Sequence, residues 1–280
     1  MIIRTAINEA CLELKSKNIK SCLLDSEILM SKVLNKKRDY IILNLEKNID
    51  QKSLDFFKLL INERSSGKPI AYIIGSKYFW KDEFKVDKNV LIPRPDTELV
   101  VEQILKICKN KKNLNVLEVG VGSGCILLSV LKEKKGFVGT GIDKSMGSIK
   151  ICKNNIYKLK ISNKIDLFKS DIDNFNIGKY DLIISNPPYI KKTDLKYLER
   201  DVIKFEPKLA LDGGLDGLSE IRKVIKKSSK LIKKNGKLVL EVGFDQKFRV
   251  KKLLKEKGFY INRVLKDLSN NDRCIVSTKI

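Results

Sequence analysis

The chain has 280 residues and a mass of 32.0 kDa, a length that predicts two domains rather than one. Hydrophobic residues make up 42% and charged residues 32%, a composition typical of globular proteins. The sequence contains no histidine, which excludes Ser/His/Asp and Cys/His hydrolases and HExxH zinc sites. Any catalysis must therefore depend on carboxylates, amides, backbone dipoles or a reactive cofactor.

The formal net charge is +23, from 57 basic and 34 acidic side chains. Because the lysines are scattered in pairs along the whole chain, we interpret the excess as a solvated surface rather than a nucleic-acid groove. The cysteines form no CxxC pair and have no metal-ligand spacing, so we predict no metal and interpret them as buried thiols in a reducing compartment: Cys11, Cys22, Cys108, Cys125, Cys152 and Cys274. No apolar run approaches the ~20 residues of a membrane span, and the N-terminus lacks a signal peptide's apolar core, so we expect a cytoplasmic protein.

The first 68 residues are predicted to form a helical bundle. Apolar residues recur at spacings of three and four from Thr5 to about Ser65, and neither Gly nor Pro occurs before Gly67. From Ile70 to Val90 aromatic and β-branched residues alternate with turn-formers at Gly75-Ser76 and Lys81-Asp82-Glu83. This pattern predicts a β-hairpin linker over residues 69–92.

Residues 93–280 show alternating strand and helix patterns. Pro93 and Pro95 indicate an extended loop, followed by a helix from about Thr97 to the Lys-Asn run at 109–113. Apolar strands are predicted at Val116–Val119, Phe137–Ile142, Ile165–Phe168, Leu182–Ile184 and Leu238–Val242, separated by helices near 125–133, 147–159, 218–233 and 246–257. Such alternation predicts an α/β fold with a doubly wound parallel sheet. Tyr260–Leu265 and Cys274–Thr278 have no helix between them and are predicted to form a hairpin at one edge.

A glycine-rich loop follows the first strand of this sheet and leads into a helix. Its residues, which we predict to bind a cofactor, are Gly120, Val121, Gly122, Ser123 and Gly124. The dinucleotide fingerprint GxGxxG would require Gly or Ala at position 125, where this chain has Cys125, so the spacing favours a nucleoside ligand without a pyrophosphate, and not NAD. Glu118 is interpreted as holding this loop through backbone N–H groups.

Two carboxylates follow the next two strands. Asp143 lies about twenty residues after the glycine loop, where a carboxylate can accept hydrogen bonds from ribose hydroxyls. Asp171 and Ile172 follow the third strand and offer a polar and an apolar contact for an adenine ring. All three residues are therefore predicted to contact the cofactor.

The segment Asn186-Pro187-Pro188-Tyr189 follows a buried strand. Two prolines cannot continue a β-ladder, so the strand must stop at the carboxyl edge of the sheet, where open α/β sheets bind ligands. The carbonyls of the proline segment and the Asn186 amide oxygen can accept hydrogen bonds from an NH2 group. Tyr189 offers a flat ring against a planar substrate. All four residues are predicted to bind the substrate.

These motifs resemble the S-adenosylmethionine-dependent class I methyltransferases that modify planar nitrogens. Further segments resemble, more narrowly, the HemK or PrmC type, which methylates N5 of glutamine in peptide chain release factors: RSSGKPIAYIIG at 64–75, Phe79-Trp80, LIPRPDTE at 91–98, Phe205-Glu206-Pro207 with Ala210-Leu211, and GGLDGL at 213–218. The resemblance extends from about residue 64 to the C-terminus. The helical region before it has the size expected for the family.

The resemblance implies S-adenosylmethionine as the cofactor, S-adenosylhomocysteine as the product and class I release factors as the protein substrate. It implies that Asn186, Pro187 and Tyr189 are catalytic, with Asn186 also beside the cofactor, and that the helical domain recognises the substrate. We expect a monomer that uses neither nucleic acid nor a membrane. Two departures stand out, at Val121 and Ser123, where Thr is frequent, and at Ser269-Asn270-Asn271, where the family usually has a Gly. The second should be mild because Asn tolerates left-handed conformations.

Other interpretations stay open. The chain could instead methylate a glutamine of a ribosomal protein, or an adenine or guanine amino group in DNA or RNA. It could also bind a cofactor without catalysis. Arg94, Asp96 and Glu98 could either line the mouth of the site or tie the linker to the sheet.

Overall fold

The protein divides into two packed units, and a computed structural model describes all of residues 1–280. One unit comprises residues 1–75 and 199–205, and the other comprises residues 76–198 and 206–280. None of the helices combines the length and the apolar character that crossing a membrane requires.

The first unit is helical. Its helices are α1 (Ile3–Ser16), α2 (Cys22–Leu34), α3 (Arg38–Leu43), α4 (Gln51–Ser65) and α5 (Ile70–Ile74), joined by a later segment at 199–205. Leu14, Leu29 and Phe57 are almost fully buried between them, which confirms the predicted helical bundle. Cys11 and Cys22 are only half-buried, contrary to prediction, and their Sγ atoms lie 2.8 Å apart as free thiols.

The predicted hairpin is shorter than its sequence pattern suggested. Residues 70–74 form helix α5 instead of a strand, because Pro69 precedes a helical turn that Gly75 ends in the left-handed region at φ 83°. The hairpin itself consists of β1 (Ser76–Phe79) and β2 (Asp82–Lys85). Its turn lies at Trp80-Lys81, with Trp80 at φ 56°, and not at the predicted Lys81-Asp82-Glu83.

The remaining elements of the second unit alternate as predicted, and the chain between them contributes one additional helix to the first unit. They are α6 (Glu98–Ile107), β3 (Asn115–Val119), α7 (Cys125–Glu133), β4 (Val138–Asp143), α8 (Met146–Leu159), β5 (Ile165–Lys169), β6 (Tyr180–Ser185), α10 (Ser219–Leu231), β7 (Ile232–Glu241), α11 (Lys247–Glu256), β8 (Phe259–Lys266) and β9 (Asp272–Lys279). The additional helix, α9 (Arg200–Phe205), belongs to the helical unit. No hydrophobic periodicity in six residues could have indicated it.

One seven-stranded sheet organises the second unit, in the order β5-β4-β3-β6-β7-β9-β8. The five strands from β5 to β7 are parallel, whereas β9 pairs antiparallel with both β7 and β8. Alternate residues enter two hydrophobic cores, Val116 on one face of β3 and Leu117 on the other. The doubly wound sheet and its edge hairpin are thereby confirmed.

Candidate active site

The strand register brings four predicted strand ends into one row. Val119 pairs with Ile142 on one side and with Ser185 on the other, and Ser185 pairs with Leu240. The residues that follow these four aligned positions therefore lie side by side at the carboxyl edge of the sheet. This row consists of Gly120, Asp143, Asn186 and Glu241.

The glycine loop is held against the second strand of the row. The N–H groups of Gly120 and Val121 donate to the Ile142 carbonyl at 2.9 and 3.0 Å. Gly120, Gly122 and Gly124 all have positive φ, at 75°, 53° and 83°, a region that L side chains rarely adopt. A Cβ at Gly120 would meet no atom within 4 Å, so the loop exposes its backbone to open space there.

Asp143 shapes the same loop. Its Oδ2 atom accepts the Gly122 N–H at 3.0 Å and its Oδ1 atom accepts the Ser145 N–H at 2.8 Å. Burial raises the pKa of the Asp143 carboxyl above its usual value, although these hydrogen bonds oppose the rise. Each carboxylate oxygen has a second lone pair, which leaves capacity for a ligand hydroxyl.

Glu118 has a different partner from the one predicted. Its Oε2 atom accepts the Leu127 N–H at 3.0 Å, in the first turn of α7, and no glycine-loop N–H. Glu118 bonds to the helix because the start of α7 supplies unpaired N–H groups next to the end of β3. Complete burial raises the pKa of Glu118 well above its ordinary value.

A cavity of about 640 Å³ opens in front of the row, a volume within the usual range for small-molecule sites. Most of the predicted site residues line it: Gly120, Val121, Gly122, Ser123, Asp143, Ile172, Asn186, Pro187 and Pro188. Gly124, Asp171 and Tyr189 are not among the lining residues. The structure therefore brings together the loop, one of the two aspartates and the proline segment.

Asp171 and Tyr189 are engaged within the protein. Asp171 caps a short 3-10 turn by accepting the Asp173 N–H at 3.0 Å, and it pairs with Lys144 at 3.1 Å. The Tyr189 hydroxyl lies 3.3 Å from Glu241 Oε1 and 3.3 Å from Arg273 Nη1. Burial raises the pKa of the Tyr189 hydroxyl.

Asn186 is anchored on two sides. The preceding Ser185 hydroxyl donates to the Val119 carbonyl at 2.8 Å, which ties the ends of β6 and β3 together. The Asn186 side chain donates through Nδ2 to the Thr97 hydroxyl at 3.3 Å. This contact assigns the NH2 end of the amide to Thr97.

Sequence reasoning missed Thr97 and Glu241. Thr97 lies in the LIPRPDTE segment, and its buried hydroxyl contacts the predicted catalytic amide. Glu241 ends β7 and is only 2% exposed. A lone carboxylate in the apolar strand pattern Leu238–Val242 was the available signal for it.

The structure shows the partners of the three charged residues in the LIPRPDTE segment, Arg94, Asp96 and Glu98. Arg94 lines the cavity and also pairs with the buried Glu206 at 2.6 Å, a residue outside the strands of the sheet. Glu98 accepts the Trp80 N–H at 2.8 Å, which ties the hairpin turn to α6. Asp96 lies 4.0 Å from Arg273.

Comparison with known proteins identifies the family. A PrmC N-terminal domain matches residues 5–75, and a methyltransferase small domain matches residues 95–266. The chain is 36% identical to a release factor glutamine methyltransferase of Clostridium botulinum over all of both chains. It is 33% identical to one of Caulobacter vibrioides, over 95% of this chain and 92% of that one. This chain belongs to the release factor glutamine methyltransferase family.

Several further matches are partial. A bifunctional methyltransferase of Rickettsia bellii is 32% identical over 98% of this chain, but the chain spans only 54% of that protein. Among solved structures, a methyltransferase from Pyrococcus furiosus has a TM-score of 0.52 at 18% identity, covering 70% of this chain and 88% of that one. The ribosomal protein L11 methylase of Lactobacillus delbrueckii has a TM-score of 0.50 at 18% identity, covering 67% and 81%. These structures support the fold alone.

The cavity fits S-adenosylmethionine, the cofactor that the methyltransferase domain implies. Gly120 lines the cavity and has open space where a Cβ would stand, so its bare backbone leaves room for a ligand. Asp143 offers carboxylate oxygens for hydroxyl groups, and Ile172 offers an apolar surface for a flat ring. The residues present are therefore of the chemical types that a charged nucleoside requires.

Proposed function

We propose that this chain transfers a methyl group from S-adenosylmethionine to the side-chain N5 of the glutamine in the Gly-Gly-Gln motif of class I peptide chain release factors. The observation that carries this proposal is the register of β3 and β6, which sets Asn186 beside Gly120 at the edge of the cavity. Two family members similar along nearly their whole length have this activity in their names.

The chemical task is to orient a weak nucleophile. An amide nitrogen attacks poorly because its lone pair is delocalised into its carbonyl group. Asn186 Oδ1 and the Pro187 carbonyl can each accept one N–H of the substrate, because Asn186 Nδ2 is already engaged by Thr97. These acceptors fix the nitrogen and stabilise the positive charge that develops on it. S-adenosylmethionine would supply an activated methyl group on its sulfonium, and the proton that the methylated nitrogen then loses can pass to water, so no histidine base is needed.

The cofactor is proposed to lie along the glycine loop, with its ribose at Asp143 and its adenine at Ile172. Asp171 supports the adenine position indirectly, since its ion pair with Lys144 fixes the segment before Ile172. Gly124 starts α7 behind the loop, and Val121 and Ser123 contribute the remaining surface. Pro188 keeps the substrate segment rigid. Tyr189, whose hydroxyl contacts Glu241 and Arg273, fixes the C-terminal end of the segment 186–189.

We assign recognition of the protein substrate to the N-terminal domain, residues 1–68, followed by α5 and the hairpin within residues 69–92 and by the methyltransferase domain at 93–280. The acceptor glutamine loop by itself offers little contact area. A helical module with exposed apolar residues offers more, and Leu12, Leu43 and Leu59 are exposed on this one. We expect the enzyme to act as a monomer.

The test is methylation of purified release factors with radiolabelled S-adenosylmethionine, followed by mass spectrometry of the glutamine peptide. Label should appear on the release factor and vanish when the acceptor glutamine is replaced. Duplex DNA, ribosomal RNA and ribosomal proteins are the competing substrates. Label on any of them with release factors untouched would contradict the proposal.

A salt series adds a second criterion. Binding to nucleic acid weakens steeply with salt because counterions are released from the phosphates. Recognition of a protein loop should depend only shallowly on salt, despite the net charge of +23. A steep dependence would favour the nucleic-acid alternative.

A further inference from the structure

Two buried side chains, Thr97 and Glu241, lie near Asn186 and have no part in cofactor or substrate binding as proposed. Asn186 Nδ2 donates to the Thr97 hydroxyl at 3.3 Å. Thr97 is 3% exposed, and its hydroxyl is near enough to the Glu241 carboxyl to lower the pKa of that group. The strand register independently places Glu241 in the row beside Asn186, since Ser185 pairs with Leu240. Glu241, Thr97 and Asn186 are therefore neighbouring polar groups, with the Thr97 hydroxyl in contact with Asn186.

The direction of hydrogen bonding among these three groups follows from donor and acceptor chemistry. An ionised carboxylate only accepts, whereas a hydroxyl both donates one proton and accepts. Glu241 Oε1 is engaged by the Tyr189 hydroxyl, and the buried Oε2 atom has no partner at hydrogen-bonding geometry. The carboxylate therefore has capacity for the Thr97 proton. A hydroxyl that donates to Glu241 turns its lone pairs toward Asn186 Nδ2.

We propose that Thr97 and Glu241 are positioning residues that set the orientation of the Asn186 amide. Glu241 accepts the Thr97 proton, Thr97 accepts the Asn186 NH2 group, and Asn186 Oδ1 is left as the acceptor for the substrate NH2. The inference rests on the proposed function, because it concerns how the acceptor glutamine is held. A flipped Asn186 would present its own NH2 to the substrate NH2, two donors facing each other.

The ionisation of Glu241 adds a measurable consequence. Burial raises its pKa from 4.5 to about 7, a rise that hydrogen bonding and the nearby Arg273 limit. A protonated Glu241 can donate to Thr97 and so reverse these hydrogen bonds. The rate of methyl transfer should therefore increase with pH through about 7. The ionisable groups that face Glu241 are Arg273, Tyr189, Asp96, Cys125 and Cys274.

The decisive experiment compares Thr97→Val with Thr97→Ser in the full chain. Valine keeps the shape of threonine and removes the hydroxyl, whereas serine keeps the hydroxyl. With saturating labelled S-adenosylmethionine and release factor, single-turnover transfer by Thr97→Val should fall about 10- to 100-fold, the loss typical when a partner that orients a reactive group is removed. Thr97→Ser should recover most of that rate. Cofactor affinity and the melting temperature should change little in either variant.

Glu241→Gln provides the second readout. The variant cannot ionise but keeps an acceptor oxygen for the Thr97 proton, so its rate should lack the rise with pH seen in the wild-type chain. Three results would overturn the inference alone: wild-type transfer by Thr97→Val, no recovery in Thr97→Ser, or an unchanged pH profile in Glu241→Gln. A wild-type chain that leaves release factors unlabelled would instead overturn the proposed function, and this inference with it.

Discussion

The Oδ2 atom of Asp143 accepts the backbone N–H of Gly122 at 3.0 Å, across 21 residues of sequence. This hydrogen bond joins the end of β4 to the loop that follows β3. A carboxylate expected only to bind a ribose therefore also fixes the backbone around the cofactor position. The observed loop contact and the proposed ribose contact therefore share one side chain.

Replacing Asp143 by Ala should weaken S-adenosylmethionine binding by about 1.5–3 kcal/mol, the range for a lost hydrogen bond to a charged group. Asp143→Asn retains one acceptor oxygen, so it should lose less. Calorimetric titration measures both affinities, and Asp166→Ala, at an exposed position on β5, serves as the control. NAD should not bind the wild-type chain. Unchanged affinity in Asp143→Ala would contradict the assigned contact.

Substitutions at Gly120 and Gly124 should distinguish an effect on cofactor binding from an effect on the stability of the fold. Both have positive φ, so Ala incurs similar backbone strain at either position, about 1–2 kcal/mol. At Gly124 the new Cβ would also lie 2.7 Å from Cys152 Sγ and 2.8 Å from Leu128 Cδ1. Gly124→Ala should therefore lower the melting temperature more, whereas Gly120→Ala should mainly weaken cofactor binding. Equal melting temperatures and equal affinities would refute this distinction.

Asn186→Ala should lower the rate of methyl transfer by roughly 10²–10³, about 2.7–4 kcal/mol, by analogy with losing one preorganised group that stabilises developing charge. Cofactor affinity should change much less, because Asn186 acts on the substrate amide. Single-turnover kinetics at saturating cofactor, with a melting curve, gives both quantities. A folded Asn186→Ala enzyme with a nearly normal rate would be incompatible with the proposed role.

Breaking the buried ion pair of the helical unit should lower the free energy of unfolding far more than breaking an exposed one. Asp25 and Arg64 meet at 2.7 Å with side-chain exposures of 3% and 11%, and Arg64 also donates to the Lys68 carbonyl. Asp25→Ala would leave the Arg64 charge buried without its partner and should destabilise the protein by about 3–5 kcal/mol. The exposed pair Arg4–Glu46 is the control, where Glu46→Ala should cost at most about 1 kcal/mol. Chemical denaturation of both variants measures the difference.

Glu241 should make the protein less stable as pH rises. Its pKa is about 7 in the folded state against 4.5 when unperturbed, so the folded state binds more protons between these values. The associated stability is complete below about pH 4.5 and is lost as pH rises through about 7. Relative to wild type, Glu241→Gln should therefore gain stability between pH 5 and pH 8, on the order of 3 kcal/mol. Urea denaturation at both pH values is the measurement, and a constant difference would contradict it.

Local pattern was sufficient for most of the fold. The glycine loop, Asp143 and Asn186 were found because each follows an apolar strand, and parallel strands end at one edge whatever their order. At the departure Ser269–Asn271, Asn270 adopts φ 64° in the turn, the left-handed conformation that Asn tolerates. Where the pattern was short, as in residues 70–74 and in α9, local propensity was too weak to decide the structure.

The tertiary structure alone decided which strand ends are neighbours. Asn186 and Glu241 are 55 positions apart, and only the register of β6 with β7 sets them side by side. Hydrophobic periodicity fixes which face of a strand is buried, but carries no information about which strand pairs with which or in what alignment. Thr97 reached Asn186 through the same long-range packing, across 89 residues. The sequence by itself therefore determined the fold class and the placing of the glycine loop and Asn186 at strand ends, and the packing of distant strands decided which side chains lie beside Asn186.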